Sequence, residues 1–123
     1  MKVTLHTQTK EIKDGKLIKI PGEFVTDLDT TLVSQMRFES KFPEMAARED
    51  LISYAQRIIA VKELTVAKII SELKIVYCFF DTDKTFIEFL KMFDLSDEEY
   101  VLRFVDEIKG VFDLVLGSSS EKN

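Results

Sequence analysis

The sequence predicts an α+β domain that is predominantly helical, a helical bundle of about five helices with a small N-terminal β-hairpin. Three observations predict it. Residues 1–22 alternate apolar and polar side chains around an Asp-Gly dipeptide. Beyond Asp29 the apolar residues recur at helical spacing. Ser, Thr and Asp stand just ahead of those apolar stretches, where helices need side-chain caps. With 123 residues, 46% of them hydrophobic and 32% charged, the chain suits one core and is too short for two ordinary domains. A single domain over residues 1–117 is expected, made of a hairpin (1–22) and a helical body (29–117), with residues 118–123 as a flexible tail.

In the hairpin, residues 2–20, Val3, Leu5 and Thr7 alternate with polar neighbours, and Asp14-Gly15 is the turn. Leu17, Ile18 and Ile20 resume the apolar pattern and Pro21-Gly22 is expected to end it. Asp29 is the expected cap of a first helix running to Glu39 and stopping near Pro43. A second helix starts at Glu44 and buries Leu51, Ala55, Ile58 and Ile59 on one face. The third, residues 65–80, carries a stripe of Val66, Ile69, Ile70, Leu73, Val76, Tyr77 and Phe80, with Lys68, Glu72 and Lys74 turned away. Asp81 or Asp83 caps a short helix bearing Phe86, Phe89, Leu90 and Phe93. Ser96 with Glu99 forms a capping box for the last helix, whose stripe is Val101, Phe104, Val105, Ile108, Phe112 and Val115, and Gly117 stops it.

Composition narrows the function. A net charge of −5, with no basic cluster interleaved with exposed aromatics, argues against a nucleic-acid partner. Lysines 2, 10, 13, 16 and 19 are assigned to keeping the hairpin soluble. No apolar run is long enough to cross a bilayer, and residues 1–13 lack a signal-peptide core, so no membrane partner and a cytoplasmic location are expected. A single cysteine, Cys78, excludes an internal disulfide and a cysteine metal cage. Neighbours Tyr77 and Phe79 mark it as a buried, inert thiol.

Two stretches look like chemistry. Asp27, Asp29 and Thr31, and again Asp81, Asp83 and Thr85, match the Asp-x-Asp-x-Thr pattern of haloacid-dehalogenase-like phosphatases. That reaction needs a nucleophilic Asp, a second Asp as acid and base, and Mg²⁺ at the carboxyl end of a buried parallel strand. The first match follows Pro21-Gly22-Glu23 and the second follows a run of helical periodicity, so capping and turn roles are expected for both. His6 is the only histidine, the four glycines are isolated, and Phe86 and Met92 stand where an EF-hand needs Gly and Glu. No enzyme, cofactor or metal is expected.

What remains is surplus apolar surface. Phe79, Ile87, Leu102 and Val111 fall outside the main stripes, either because a bundle surrounds its central helix or because some line a partner groove. The partner-binding candidates are Phe79, Phe86, Phe89 and Phe93, with Met92 adding adaptability. Phe38 and Phe42, four apart, are assigned to the core.

The run from Phe24 to Ile59, with Asp27-Leu-Asp-Thr-Thr-Leu32, then Arg37-Phe-Glu-Ser-Lys-Phe-Pro-Glu44 and Glu49-Asp-Leu-Ile-Ser-Tyr54, resembles the tail assembly chaperones of long-tailed phages and prophages of Gram-positive bacteria. The resemblance implies a protein that binds the tape measure protein and keeps it soluble until tail tube protein polymerises around it. It also implies the tail tube protein as a second candidate partner, and self-association as a homo-oligomer. A longer form made by frameshifting is implied as well, and Glu121-Lys122-Asn123 is compatible with an A AAA AAC slippery site. The rival readings are a small acidic regulator or adaptor and, from another class, a Mg²⁺-dependent phosphatase.

Overall fold

The computed structural model describes residues 1–117; the expected tail and the frameshift tripeptide lie outside the described residues. The fold is α+β and mostly helical. Strands β1 (Lys2–Lys13) and β2 (Lys16–Leu28) form an antiparallel hairpin. Its turn places Asp14 and Gly15 at φ of 53° and 75°, the left-handed pair that a two-residue turn demands.

The hairpin is longer than expected, because Pro21-Gly22 lies inside β2 and does not end it. Pro21 opposes Gln8 and Gly22 opposes Thr7. Proline is tolerated there because the far edge of β2 is paired only at its end, by β3 (Phe80–Asp81), through Asp27↔Asp81 and Leu28↔Phe80. Gly22 is held by a close approach: a Cβ on it would lie 2.8 Å from the Thr7 Oγ1. The sequence hid β3, since helical spacing ran on through Phe80.

Six helices follow: α1 (Leu32–Lys41), α2 (Pro43–Ala46), α3 (Leu51–Ala60), α4 (Val66–Cys78), α5 (Phe86–Leu90) and α6 (Glu98–Leu116). The expected second helix divides in two because the Asp50 carboxylate captures the Ser53 N–H at 2.7 Å and starts a new helix. Leu51, Ala55 and Ile58 are buried as expected. Caps shift from the expected residues in three places. Thr31, not Asp29, caps α1, while Asp29 accepts from the Thr31 N–H at 2.9 Å. Thr85, with Glu88, forms the capping box of α5 in place of Asp81 or Asp83. Asp97 caps α6 in place of Ser96, whose hydroxyl donates to Asp94. Gly117, at φ of 66°, ends α6 as expected.

The core is one cluster. It joins Val3, Leu5 and Phe24 of the hairpin to Phe38, Leu51, Ala55, Ile75, Phe79, Phe104 and Phe112 of the helices. Helix α4 is central, packed by α1, α3, α5 and α6. That position overrides its amphipathic pattern. Glu72, expected to face away, is 5% exposed and paired with Lys68 at 3.5 Å, whereas Val66 and Ile70, expected inside, are exposed.

Candidate functional site

The residues singled out from sequence as partner-binding do come together, but inside the molecule. Phe79 and Phe89 are fully buried, Phe93 nearly so, and Phe86 and Met92 are half-buried against the core. Phe89 is the hub of the cluster: its ring centroid lies 5.0 Å from Phe93, 5.5 Å from Tyr77, and 5.8 Å from both Phe24 and Phe80. Phe86 fills a second layer against Phe42 at 5.1 Å and Tyr77 at 5.4 Å. These five residues therefore do not form an exposed docking face. The hairpin, longer than expected, supplies Phe24 from β2 to the cluster. Of the four residues outside the stripes, Phe79 and Val111 are buried and Ile87 and Leu102 are exposed.

Apolar surface is left over elsewhere. A groove of about 160 Å³ opens between α4 and α6, and its entire lining is apolar. Helix α4 contributes Val66, Ile69, Ile70 and Leu73, α5 contributes Leu90, the chain after it Phe93 and Leu95, and α6 contributes Phe104. Val66, Ile70 and Leu95 are its exposed residues, and Val61 and Leu64, in the loop before α4, are exposed as well. The volume falls below the roughly 300 Å³ at which small-molecule sites begin, and suits one or two inserted side chains. Phe93 is the one predicted residue, among the five, that reaches this groove. Reasoning from sequence missed Val66, Ile70 and Leu95. Leu95 did carry a signal, being a leucine between Asp94 and Ser96 that belongs to no helix stripe.

A polar seam joins the hairpin to the start of α6. Asp97 accepts from the Gln8 Nε2 at 2.9 Å and pairs with Lys19 at 2.7 Å. These bonds hold its carboxyl well below the ordinary range, Lys19 first, and raise the Lys19 ammonium in turn. Lys10 bonds Ser96 at 2.6 Å and faces Asp94 at 3.5 Å. The Tyr100 hydroxyl donates to the His6 carbonyl at 2.7 Å, and burial pushes its pKa up. Lys10 and Lys19 thus dock the hairpin, which is more than the solubilising role expected of them. His6 pairs through its backbone N–H and its ring with Glu107.

The two Asp-x-Asp-x-Thr stretches meet as neighbouring strands, Asp27 opposite Asp81. The ladder is antiparallel, so neither stretch ends a buried parallel strand. Asp27 pairs with Lys2 at 3.3 Å, and Asp29 is held by Thr31 and by Arg37 at 3.4 Å, which keep its carboxyl below the ordinary range. Among the described residues, no three His, Cys, Asp or Glu side chains are grouped to hold a metal ion. No helix among them is long and apolar enough to cross a membrane. Burial pushes the Cys78 thiol up to about 12, leaving it a poor nucleophile.

The chain matches no known protein family, no curated protein and no solved structure. Its own geometry explains the segment 37–44. Arg37 crosses from α1 to donate to the Cys78 carbonyl at the end of α4, at 2.5 Å, and to Asp29. Phe38 is fully buried, Phe42 lies edge-on to Tyr77 and Phe86, and Pro43 opens α2 at a position where its missing N–H costs nothing. This segment bolts α1 to α4, and Lys41, Phe42, Pro43 and Glu44, with Met45 and Lys74, line a separate open cavity of about 320 Å³.

Proposed function

We propose that this chain is a binding protein of the tail assembly chaperone kind, acting in the cytoplasm without catalysis, and that it holds the tape measure protein soluble during tail assembly. The observation that carries the proposal is the apolar groove between α4 and α6. A long helical client exposes large side chains at i, i+3 and i+4 spacing, and an apolar groove along α4 accepts such anchors. The rim residues Val66, Ile70 and Leu95 cost apolar exposure in the free protein that a bound helix would remove. Acidic residues elsewhere keep the complex dispersed. The sequence resemblance over Phe24 to Ile59 supports the choice of client. Neither the regulator nor the phosphatase reading has an observation of its own to favour it.

Co-expression with a tape measure protein from a long-tailed phage of a Gram-positive host is the test. The expected result is a soluble client that co-purifies with the wild-type chain. Ile70→Asp with Leu95→Asp, both at exposed positions, should abolish that effect while leaving the circular dichroism spectrum unchanged. A client equally insoluble with and without the chain, or solubilised equally by the double variant, overturns the assignment.

A further inference from the structure

We propose that the client helix is read for a carboxylate as well as for its apolar anchors: an acidic side chain one turn beyond the anchors seats in the neighbouring cavity lined by Lys41 and Lys74. This rests on the groove between α4 and α6 being the client site. The two cavities adjoin. On α4, Ile70 lines the groove and Lys74, four residues on, lines the second cavity. Residues at that spacing are neighbours on a helix surface, about 5–6 Å apart. On α5, Leu90 lines the groove, and Phe86, four residues earlier, meets Phe42 of the second cavity at 5.1 Å. One helical turn therefore separates the two sites along both elements.

The second cavity differs from the groove in its charge. Its apolar part is Phe42, Pro43 and Met45, and the Lys74 Nζ stands 5.9 Å from the Phe42 ring centroid. Lys74 is half-buried, yet neither it nor Lys41 meets a carboxylate among the described residues. Lys10, Arg37 and Lys68, also half-buried, each pair with one. An ammonium partly withdrawn from water and left unpaired favours an incoming anion. Glu44, the one carboxylate lining the cavity, is exposed and bridges to neither lysine, so two lysines stand against one glutamate. Charges on the flanking segments do not reverse this. Lys62 and Glu63 cancel, as do Asp83 and Lys84, while Glu88 is engaged by the Thr85 N–H and Lys91 is exposed. The pair of cavities thus matches an amphipathic helix whose apolar stripe is followed by glutamate or aspartate; a basic residue there would meet like charge.

Binding of the full chain to synthetic amphipathic helical peptides, read by fluorescence anisotropy, tests it. Two peptides share a leucine stripe at i, i+3 and i+4 spacing and carry, one turn beyond each end of it, glutamate in one and lysine in the other. The glutamate peptide should bind about ten-fold more tightly at low salt, with the gap narrowing as salt rises. Lys41→Glu with Lys74→Glu should reverse the preference at unchanged circular dichroism, and Lys41→Gln with Lys74→Gln should erase it. If the reversed variant does not fold, the glutamine variant decides. Equal binding of both peptides by the wild-type chain, or a preference that survives the glutamine variant, overturns the carboxylate site and leaves the groove reading standing. If neither peptide binds, or a third with serine in place of leucine binds as well, the groove reading falls and this inference falls with it.

Discussion

Replacing Phe89 with alanine separates a core role from a docking role. Its ring is fully buried and surrounded by Phe24, Tyr77, Phe80, Phe86 and Phe93, a shell built from the hairpin, α4, β3, α5 and the chain after it. Phe→Ala in a core costs about 3–5 kcal/mol, with the upper values where the surroundings cannot collapse. Rings held by several separate elements do not move together, so about 4 kcal/mol is expected. That is a large share of the roughly 5–15 kcal/mol available to a domain. With an m-value of about 2 kcal/mol/M, the urea midpoint should fall by about 2 M, read by circular dichroism and by tyrosine fluorescence. Ile87→Ala, two residues away and 59% exposed, is the control, with a change of about 0.5 kcal/mol or less expected. If Phe89→Ala costs less than about 1.5 kcal/mol at unchanged m-value, the aromatic cluster is not the closed core described, and Phe89 returns as a candidate for partner contact.

Other perturbations have definite expected outcomes. Arg37→Met removes a charged donor from the Cys78 carbonyl and from Asp29, and should cost about 1.5–3 kcal/mol in urea denaturation; a neutral result would mean that α1 and α4 are not bolted there. Burial raises the Glu72 pKa above 4.5 in the folded chain, so the protonated form favours folding and that contribution is lost as pH rises through the folded value. Glu72→Gln should therefore gain stability relative to wild type between pH 4.5 and 7, and an equal difference at both pH values would contradict the buried carboxylate. Asp97 is shifted the other way, its pKa lowered by Lys19 and Gln8, so its contribution is present above 3.8 and lost as pH falls through the folded value. Asp97→Asn should speed hydrogen exchange of the hairpin amides at neutral pH, with the gap to wild type closing in strong acid.

How much was legible follows from where each signal lives. The Asp14-Gly15 turn, the α6 stripe and the Gly117 stop are local, and each was readable. Cap identities were missed by one to four residues because Asp, Ser and Thr crowd every helix start, and only backbone geometry selects among them. Strand β3 was invisible because its two residues continue a helical pattern, and pairing with Leu28 is a tertiary fact. The candidate site failed for a related reason. Aromatic richness marks both core and interface, and nothing in the sequence said that Phe24 would swing over to seal Phe89. The exposed set, Val66, Ile70 and Leu95, is aliphatic and lay inside or beside ordinary stripes.

The segment that carries the family resemblance is architectural, and this changes what the resemblance can support. Arg37 closes the end of α4, Phe38 packs edge-on to Tyr54 of α3, Phe42 is layered on Tyr77 and Phe86, and Pro43 opens α2. A motif of this kind constrains the scaffold. It fixes α1 against α4, and no residue of the motif lines the groove between α4 and α6. Under the proposed function, client choice by apolar contact would rest with Val66, Ile70 and Leu95, the exposed residues of the groove. Swapping these three for other apolar side chains of similar volume should change which helices are bound without shifting the urea midpoint by more than about 0.5 M, within the tolerance of exposed positions. A midpoint that falls with every such swap would place the groove inside the folding core, and a binding site there would have to be abandoned.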